Sequence, residues 1–123
     1  MPFDFEKLEV YKKTINFAND VYNMTKKFPK DEQFGITSQV RRAAISVSLN
    51  IAEGNGRSKR GFKHYILLAR MSVQECIPIL KISFLQGCID NEEVSNYYKR
   101  CEELSKMLCG LFNSLRTTNY ELI

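Results

Sequence analysis

The sequence has few of the residues that interrupt helices: it contains three prolines and six glycines among 123 residues, and the glycines stand mostly near apparent helix ends. A β-rich domain uses glycine and proline to turn between short, evenly spaced strands. Leu, Ile, Lys, Glu and Ala, which suit helices, are plentiful instead. The composition therefore predicts an all-α protein. The length predicts one domain over residues 1–123 with a single hydrophobic core.

Long apolar runs are also lacking. The longest, residues 43–52 and 77–85, fall well short of the roughly 20 apolar residues that a membrane-spanning helix needs. The first ten residues, MPFDFEKLEV, are acidic and interrupted, which is unlike a secretory signal. We therefore expect a soluble, cytoplasmic protein with no membrane partner.

Metal-binding side chains are scarce. His64 is the single histidine, and the four cysteines, Cys76, Cys88, Cys101 and Cys109, show no C-x-x-C spacing. A structural zinc site needs clustered ligands, and a disulfide framework is typical of short, loop-rich secreted chains. Since three of the cysteines fall within helical runs, we expect reduced, buried thiols. No metal, nucleotide or organic cofactor is implied.

Four helices are predicted from apolar residues spaced three and four positions apart. Their expected bounds are residues 5–27 with Asp4 as the N-cap, 36–53, 59–86 with Ser58 as the N-cap, and a helix from the capping box Asp90-x-x-Glu93 to about Arg116. Short connections favour an antiparallel up-down-up-down four-helix bundle. Pro78 falls inside the third helix, and we expect a kink there.

Each helix carries an apolar stripe that is expected to face the core. In the first helix it comprises Phe5, Leu8, Tyr11, Ile15, Ala18 and Tyr22. In the second it comprises Val40, Ala44, Val47 and Ile51. In the third it comprises Phe62, Tyr65, Ile66, Ala69, Val73, Cys76, Leu80 and Phe84. In the fourth it is a heptad seam of Val94, Tyr97, Cys101, Leu104, Leu108, Leu111 and Leu115.

The third helix has apolar bulk on more than one face. The additional residues are Leu67, Leu68, Met71, Ile77, Ile79, Ile82 and Leu85. A monomeric bundle of this size has no interior left to bury them, so the pattern predicts a homo-oligomer.

Charge is unevenly distributed along the chain. The net charge is +4, from 18 basic and 14 acidic residues. Residues 33–74 hold seven Lys and Arg against one acid, Glu53, which gives that segment +6 and leaves −2 for the rest. The seven are Arg41, Arg42, Arg57, Lys59, Arg60, Lys63 and Arg70. They favour binding to RNA or DNA phosphates without strong sequence specificity. The alternative is an oligomeric structural or protein-binding scaffold with no nucleic-acid role, in which these cations serve subunit pairing and solubility.

The stretch N-I-A-E-G-N-G-R, residues 50–57, has a structural interpretation. Asn50 can bond backbone at the end of the second helix, and Glu53 can neutralise a nearby cation such as Arg57. Gly54 and Gly56 are expected to supply the positive φ angles of a tight corner. We therefore assign Asn50, Glu53, Gly54 and Gly56 to the helix corner or to a subunit interface.

Arg57 and His64 permit an enzymatic alternative. Their separation by six residues resembles the R-x(4–6)-H signature of HEPN-class RNases, in which paired Arg and His act on an RNA phosphate at a dimer interface. With a single histidine, however, no nucleophile–base pair can be assembled from the other residues. We therefore expect no enzymatic activity.

Several motifs resemble one bacterial family of four-helix bundles. They are FEKL at residues 5–8, FP at 28–29, GITSQVRRAA at 35–44, NIAEG at 50–54 followed by GR at 56–57, and AR at 69–70. The family includes proteins encoded within intervening sequences of large-subunit ribosomal RNA genes, some of them labelled ribosomal proteins by homology. The sequence is also similar to the accessory variability protein of diversity-generating retroelements, a basic barrel that binds nucleic acid and the reverse transcriptase.

The resemblance implies an antiparallel bundle that assembles into a ring-like pentamer, with no established enzymatic activity. Two residues depart from the family pattern: Met71, where a small residue is frequent, and Pro78. Both fall on a surface that is expected to meet a neighbouring subunit.

Overall fold

The structure, a computed structural model, describes residues 3–115. Its helices are α1 (Glu9–Thr25), α2 (Ile36–Asn55), α3 (Lys59–Leu85) and α4 (Asn91–Ser114), with 3₁₀ turns at Asp4–Lys7 and Lys30–Glu32. No strand occurs in this part of the chain, and the all-α class is confirmed. The fourth helix, predicted to reach about Arg116, ends at Ser114, and Arg116 itself lies outside the described residues. None of the helices within residues 3–115 has an apolar stretch long enough to cross a membrane.

The four helices pack in cyclic order, each against the two that flank it, and the α2–α3 pair has the most extensive contact. Ion pairs across the α1–α4 seam define the relative direction of those helices. Lys27 near the end of α1 pairs with Glu93 at the start of α4, and Lys13 pairs with Glu103 further along α4. Residue numbers thus rise in one helix as they fall in the other, and the predicted antiparallel four-helix bundle is confirmed.

Two helix starts follow the sequence prediction. The Ser58 hydroxyl accepts a hydrogen bond from the Gly61 N–H at 3.2 Å and caps α3. At α4 the Asp90 carboxylate accepts from the Glu93 N–H at 2.8 Å, while the Glu93 carboxylate accepts from the Asp90 N–H at 3.1 Å. This reciprocal capping box satisfies two N–H groups that the helix itself leaves unpaired.

The predicted start of the first helix at Phe5 is wrong. α1 begins at Glu9, and Asp4 does not cap it. The preceding residue, Leu8, is extended with φ −70° and ψ 129°, so the 3₁₀ turn folds back on the helix. This places the Phe5 ring edge-on to Tyr11 with the ring centroids 5.0 Å apart. The aromatic contact explains why the chain breaks before α1 rather than continuing as one helix.

The apolar stripe predicted for the first helix is wrong at two of its six residues, since Ala18 is buried and Phe5, Leu8 and Tyr11 are half-buried against the core. Ile15 and Tyr22 are exposed, and the buried stripe consists of Val10, Thr14, Phe17, Ala18, Val21, Met24 and Thr25. The Phe17 ring packs edge-on against Tyr97 of α4 at 6.0 Å. α1 therefore turns its Phe17 side to the core and leaves Ile15 and Tyr22 outside it.

The remaining stripes are confirmed with small differences. All four predicted core residues of α2 are buried. Six of the eight residues of the α3 stripe are buried as well, whereas Tyr65 and Phe84 are half-buried. In α4 the seam is buried as far as Leu108 and half-buried at Leu111 and Leu115. α3 continues as a helix across Pro78 to Leu85. Of its surplus apolar residues four are exposed: Leu67, Met71, Ile82 and Leu85.

The positive φ angles predicted for Gly54 and Gly56 are wrong. Among the described residues only Gly87, after α3, has a positive φ (77°), and Gly56 has a φ of −80°. Gly54 lies within α2, where a Cβ would stand 2.5 Å from the Cβ of Tyr65. Glycine is needed at this position because α2 and α3 approach closely, not because the backbone turns.

The cysteines are unpaired thiols. Cys76 of α3 and Cys101 of α4 are buried, whereas Cys88 and Cys109 are half-buried. The neighbouring Cys101 thiol and burial both raise the pKa of Cys76. A raised pKa holds the Cys76 thiol in its protonated, unreactive form. Buried Cys76 and Cys101 act as small apolar residues of the core.

Candidate nucleic-acid interface

The three residues between α2 and α3 bring four cations together at one end of the bundle. We call Arg57, Lys59, Arg60 and Lys63 the basic corner. The first three are exposed and Lys63 is half-buried. Because α2 stops at Asn55 and α3 starts at Lys59, the close sequence spacing of these cations becomes close spacing at the surface.

Arg57 is anchored to the end of α2 and to α3. Its Nη2 donates to Glu53 Oε1 at 2.6 Å, and its Nε donates to the Glu53 carbonyl at 3.3 Å. Its guanidinium also lies over the Tyr65 ring, 4.7 Å from the centroid. The hydrogen bond to Glu53 raises the pKa of Arg57. Glu53 thus neutralises part of the charge of the basic corner and positions one of its four cations.

The other three cations occupy the first turns of α3. The first turn contains no acidic residue, and its cap is the neutral Ser58. Lys63 reaches across to α4, where its ammonium lies 4.5 Å from the centroid of the Phe112 ring. The N-terminus of a helix carries a partial positive charge, so these cations add to the helix dipole rather than offset it.

Asn50 does not lie at the corner. Its Nδ2 donates to the Ser46 carbonyl at 2.8 Å and to the Ser46 hydroxyl at 3.2 Å. The Ser46 hydroxyl also accepts from Ser72 of α3 at 2.9 Å. Asn50 therefore belongs to a polar seam between α2 and α3, one turn before the basic corner.

His64, the residue of the enzymatic alternative, is exposed on α3. Its ring meets the Tyr65 ring edge-on, with centroids 5.5 Å apart. Arg57 covers the same tyrosine. Arg57 and His64 thus both pack on Tyr65, and the Arg57 guanidinium is already engaged by Glu53.

Arg41, Arg42 and Arg70 lie away from the basic corner. Arg42 and Glu53 are eleven residues apart on α2, about 16 Å along its axis. Arg41 donates through Nε to the Thr25 hydroxyl at 2.7 Å, on the α1 side of the bundle. Arg70 donates through Nε to the Ser105 hydroxyl at 3.1 Å, on the same α3–α4 side as Lys63 and seven residues further along α3. The basic segment of the sequence therefore does not form one continuous surface around the corner.

The structure adds two cations that the sequence did not group with these seven. Lys26 and Lys30 line a cavity together with Arg41, where the end of α1 meets the start of α2. They are 15 and 11 residues from Arg41, outside the basic segment. No sequence pattern links them, because antiparallel packing of two helices creates the proximity.

These features define the molecule as a four-helix bundle with a short, strongly basic corner between its second and third helices. The family model of the 23S rRNA-intervening sequence proteins matches residues 6–110. The chain therefore belongs to that family, in agreement with the motifs noted above. No curated protein matches the chain.

A solved structure shares this fold. It is a crystal structure of a protein with unknown function from the S23 ribosomal protein family of Bacteroides thetaiotaomicron VPI-5482. The TM-score is 0.78 at 22% sequence identity, over 85% of this chain and 95% of that chain. At this identity the similarity concerns the fold.

Proposed function

We propose that this chain is a non-enzymatic, homo-oligomeric bundle of the cytoplasm that binds the phosphates of RNA or DNA through the basic corner, without strong sequence specificity. The observation that carries the proposal is the placement of Lys59, Arg60 and Lys63 at the N-terminus of a 27-residue helix whose first turn holds no acid. The free thiols of the core favour the cytoplasmic location.

This placement is unfavourable for the folded chain alone. Cations near a helix N-terminus typically cost about 0.3–1 kcal/mol each at low ionic strength, whereas anions there are stabilising by a similar amount. A phosphate group at the basic corner reverses the sign of the interaction, since it meets both the cations and the unpaired N–H groups of the first turn. Residues that lower the stability of the folded chain are expected where they take part in binding.

The aromatic residues of the corner explain the expected lack of sequence specificity. Phe62 is buried, Tyr65 is covered by Arg57, and Phe112 is covered by Lys63. None of these rings is available to stack on a base, which is how proteins commonly read single strands. Contacts at the basic corner are therefore with phosphates, which carry no base information.

The outward face of α3 supports the proposed homo-oligomerisation. Its exposed apolar side chains, Leu67, Met71, Ile82 and Leu85, extend over about 27 Å of the helix axis. Apolar patches of this extent are rare on monomers and mark contacts between proteins. A second copy of the chain is the occupant we propose, and the family resemblance suggests a ring-like pentamer. A ring repeats the basic corner in every subunit, which multiplies phosphate contacts on one strand.

The family is described by the intervening sequence of 23S rRNA in which its members are encoded, and this description names no ligand. The solved structure with this fold is itself described as having unknown function. The proposal of phosphate binding therefore rests on the basic corner of this chain.

The test is equilibrium binding to labelled single- and double-stranded RNA and DNA over a series of salt concentrations. We expect affinity to fall linearly on a log–log plot against salt, with a slope of about −0.9 per neutralised phosphate on duplex DNA. Affinity should differ little between unrelated sequences of the same length. No binding at low salt by a folded oligomer would overturn the proposal and favour the scaffold, whose surface would then be the apolar face of α3.

A further inference from the structure

A second group of cations surrounds a cavity at the far end of α2 from the basic corner. Lys26 follows the last turn of α1, Lys30 lies in the 3₁₀ turn, and Arg41 projects from α2. With Thr37 these side chains line a cavity of about 290 Å³, which we call the junction cavity. Among the described residues no acid lines it.

Thr37 contributes a polar group that lacks a partner. Its side chain is only 5% exposed, and its Oγ1 has no hydrogen-bond partner among the described residues. Buried hydroxyl groups are nearly always paired. The Thr37 Oγ1 has almost no accessible surface, so it reaches a ligand in the junction cavity only after its side chain rotates. At the start of α2 the N-cap Gly35 has no side chain, and the Glu32 carboxylate accepts only from the Ile36 N–H, which leaves further N–H groups of the first turn unpaired by the helix.

Arg41 is held in place yet keeps donors for a ligand. Its Nε donates to the Thr25 hydroxyl at 2.7 Å and its Nη2 to the Tyr22 carbonyl at 3.3 Å. The guanidinium lies over the Tyr22 ring, 4.6 Å from the centroid. Its Nη1 has no partner in the described part of the chain. A guanidinium fixed by two hydrogen bonds and a ring is already ordered before an anion binds.

An apolar groove of about 640 Å³ adjoins the junction cavity and shares Thr37 and Arg41 with it. The groove follows the outer face of α2, and its apolar side chains are Tyr22, Phe34, Ile45 and Leu49. Phe34 is 90% exposed, so its ring makes little contact with its own chain. Exposed aromatic rings and guanidinium planes are the surfaces on which nucleic-acid bases stack. The groove also contains Arg42, a further cation.

We propose that the junction cavity and this groove form a binding site for a nucleoside 5′-monophosphate, either free or as the 5′-terminal nucleotide of a strand. The phosphate dianion lies between Lys26, Lys30 and Arg41, and the Thr37 side chain rotates so that its hydroxyl donates a hydrogen bond to it. The base lies in the groove and stacks on Phe34. The site is distinct from the basic corner and does not depend on the function proposed there.

Two acids near the site limit its affinity for phosphate. Asp31 and Glu32 lie in the 3₁₀ turn beside Lys30. The Glu32 carboxylate accepts from the Ile36 N–H at 3.4 Å and so interacts with the start of α2 itself. Neither acid lines the cavity or the groove, and solvent screens their charge over longer distances.

The test is calorimetry of the intact oligomer with adenosine 5′-monophosphate, adenosine and inorganic phosphate as separate probes. We expect saturable binding of adenosine 5′-monophosphate and at least tenfold weaker binding of adenosine and of inorganic phosphate. Lys26→Ala/Lys30→Ala should weaken the binding of the nucleotide at least tenfold. Phe34→Ala should weaken the binding of the nucleotide about tenfold and leave the binding of inorganic phosphate unchanged. Oligonucleotides with a 5′-phosphate or a 5′-hydroxyl distinguish a strand end from the free nucleotide as the preferred ligand.

The control is Lys99→Ala/Lys106→Ala on α4, which removes the same charge away from both basic surfaces and should bind the nucleotide like the native chain. Lys59→Ala/Lys63→Ala should do so as well, which separates this site from the basic corner. The proposal is overturned if the nucleotide does not bind the folded protein at millimolar concentration, or if Lys26→Ala/Lys30→Ala binds it unchanged. It is also overturned if Phe34→Ala lowers the mass of the oligomer, because the ring then belongs to a subunit contact.

Discussion

Gly54 of α2 and Tyr65 of α3 lie so close that a Cβ at position 54 would stand 2.5 Å from the Cβ of Tyr65. The Tyr65 Cβ belongs to the rigid base of its side chain and cannot rotate away. The Tyr65 ring in turn supports the Arg57 guanidinium. The packing of α2 on α3 and the position of the first cation of the basic corner are therefore coupled through one glycine.

Gly54→Ala is expected to destabilise the fold by about 1–3 kcal/mol, because α2 and α3 must separate to admit the methyl group. Gly110→Ala is the matched change, since Gly110 lies inside α4 with no atom within 4 Å of an added Cβ. That change should be stabilising by up to about 1 kcal/mol through helix propensity. Denaturant unfolding measures both, and equal effects of the two changes would show that close packing at Gly54 is unimportant.

Lys59→Glu is expected to raise the free energy of unfolding by about 0.5–1 kcal/mol at low salt, since it replaces a cation by an anion at the first position of α3. The gain should shrink as salt is added. Lys99→Glu, in the middle of α4, should not show it. Thermal unfolding at two ionic strengths checks the prediction, and a loss of stability in Lys59→Glu would contradict the assignment of an unfavourable charge to this position.

Met71→Glu is expected to dissociate the oligomer while leaving each bundle folded, because it places a charge in the middle of the exposed apolar face of α3. Asn96→Glu introduces the same charge at an exposed position of α4 and should leave the mass unchanged. Analytical ultracentrifugation gives the masses. A native chain that sediments as a monomer at micromolar concentration would refute the oligomer.

Tyr97→Phe is expected to cost about 0.5–1.5 kcal/mol, because the Tyr97 hydroxyl donates to the Asp20 carbonyl at 3.1 Å across the α1–α4 seam. Burial raises the pKa of Tyr97 above its ordinary value of 10.0. The folded chain therefore holds the phenolic proton of Tyr97 more tightly than the unfolded chain does. The contribution of Tyr97 to the free energy of unfolding is complete below pH 10 and declines as the pH rises above 10. Denaturant unfolding of the native chain and of Tyr97→Phe from pH 8 to 11 should show the difference between their free energies of unfolding narrowing above pH 10. A difference that stays constant over this range would exclude the link between stability and the ionisation of Tyr97.

The apolar spacing predicted α2 and α4 well because each has one dominant stripe. It misplaced the core face of α1, where two stripes overlap. The sequence favoured Ile15 and Tyr22 over Thr14, yet Thr14 is buried because its hydroxyl donates to the Tyr11 carbonyl of its own helix. A polar residue whose hydroxyl is hydrogen-bonded within its own helix can be buried in the core, and the spacing of apolar residues does not predict its burial.

The basic corner was predictable because its cations are neighbours in the sequence. The separation of Arg41 from the basic corner was not predictable, since it depends on which way each side chain leaves its helix. The junction cavity could not be predicted from the sequence. Lys26 and Arg41 come together only when α1 and α2 pack antiparallel, and the exposure of Phe34 depends on where that packing ends.

Binding of a labelled single-stranded RNA by Lys59→Ala/Lys63→Ala, compared with Lys99→Ala/Lys106→Ala, tests most directly whether the basic corner is the functional surface. Both variants lose two positive charges and should keep the mass of the native chain, and the corner variant should be at least as stable as the native chain because it removes cations from the N-terminus of α3. We expect the corner variant to lose affinity at least tenfold and its salt slope to fall by about 1 or more, while the α4 variant binds like the native protein. Equal affinity of the two variants would contradict the assignment of phosphate binding to the corner.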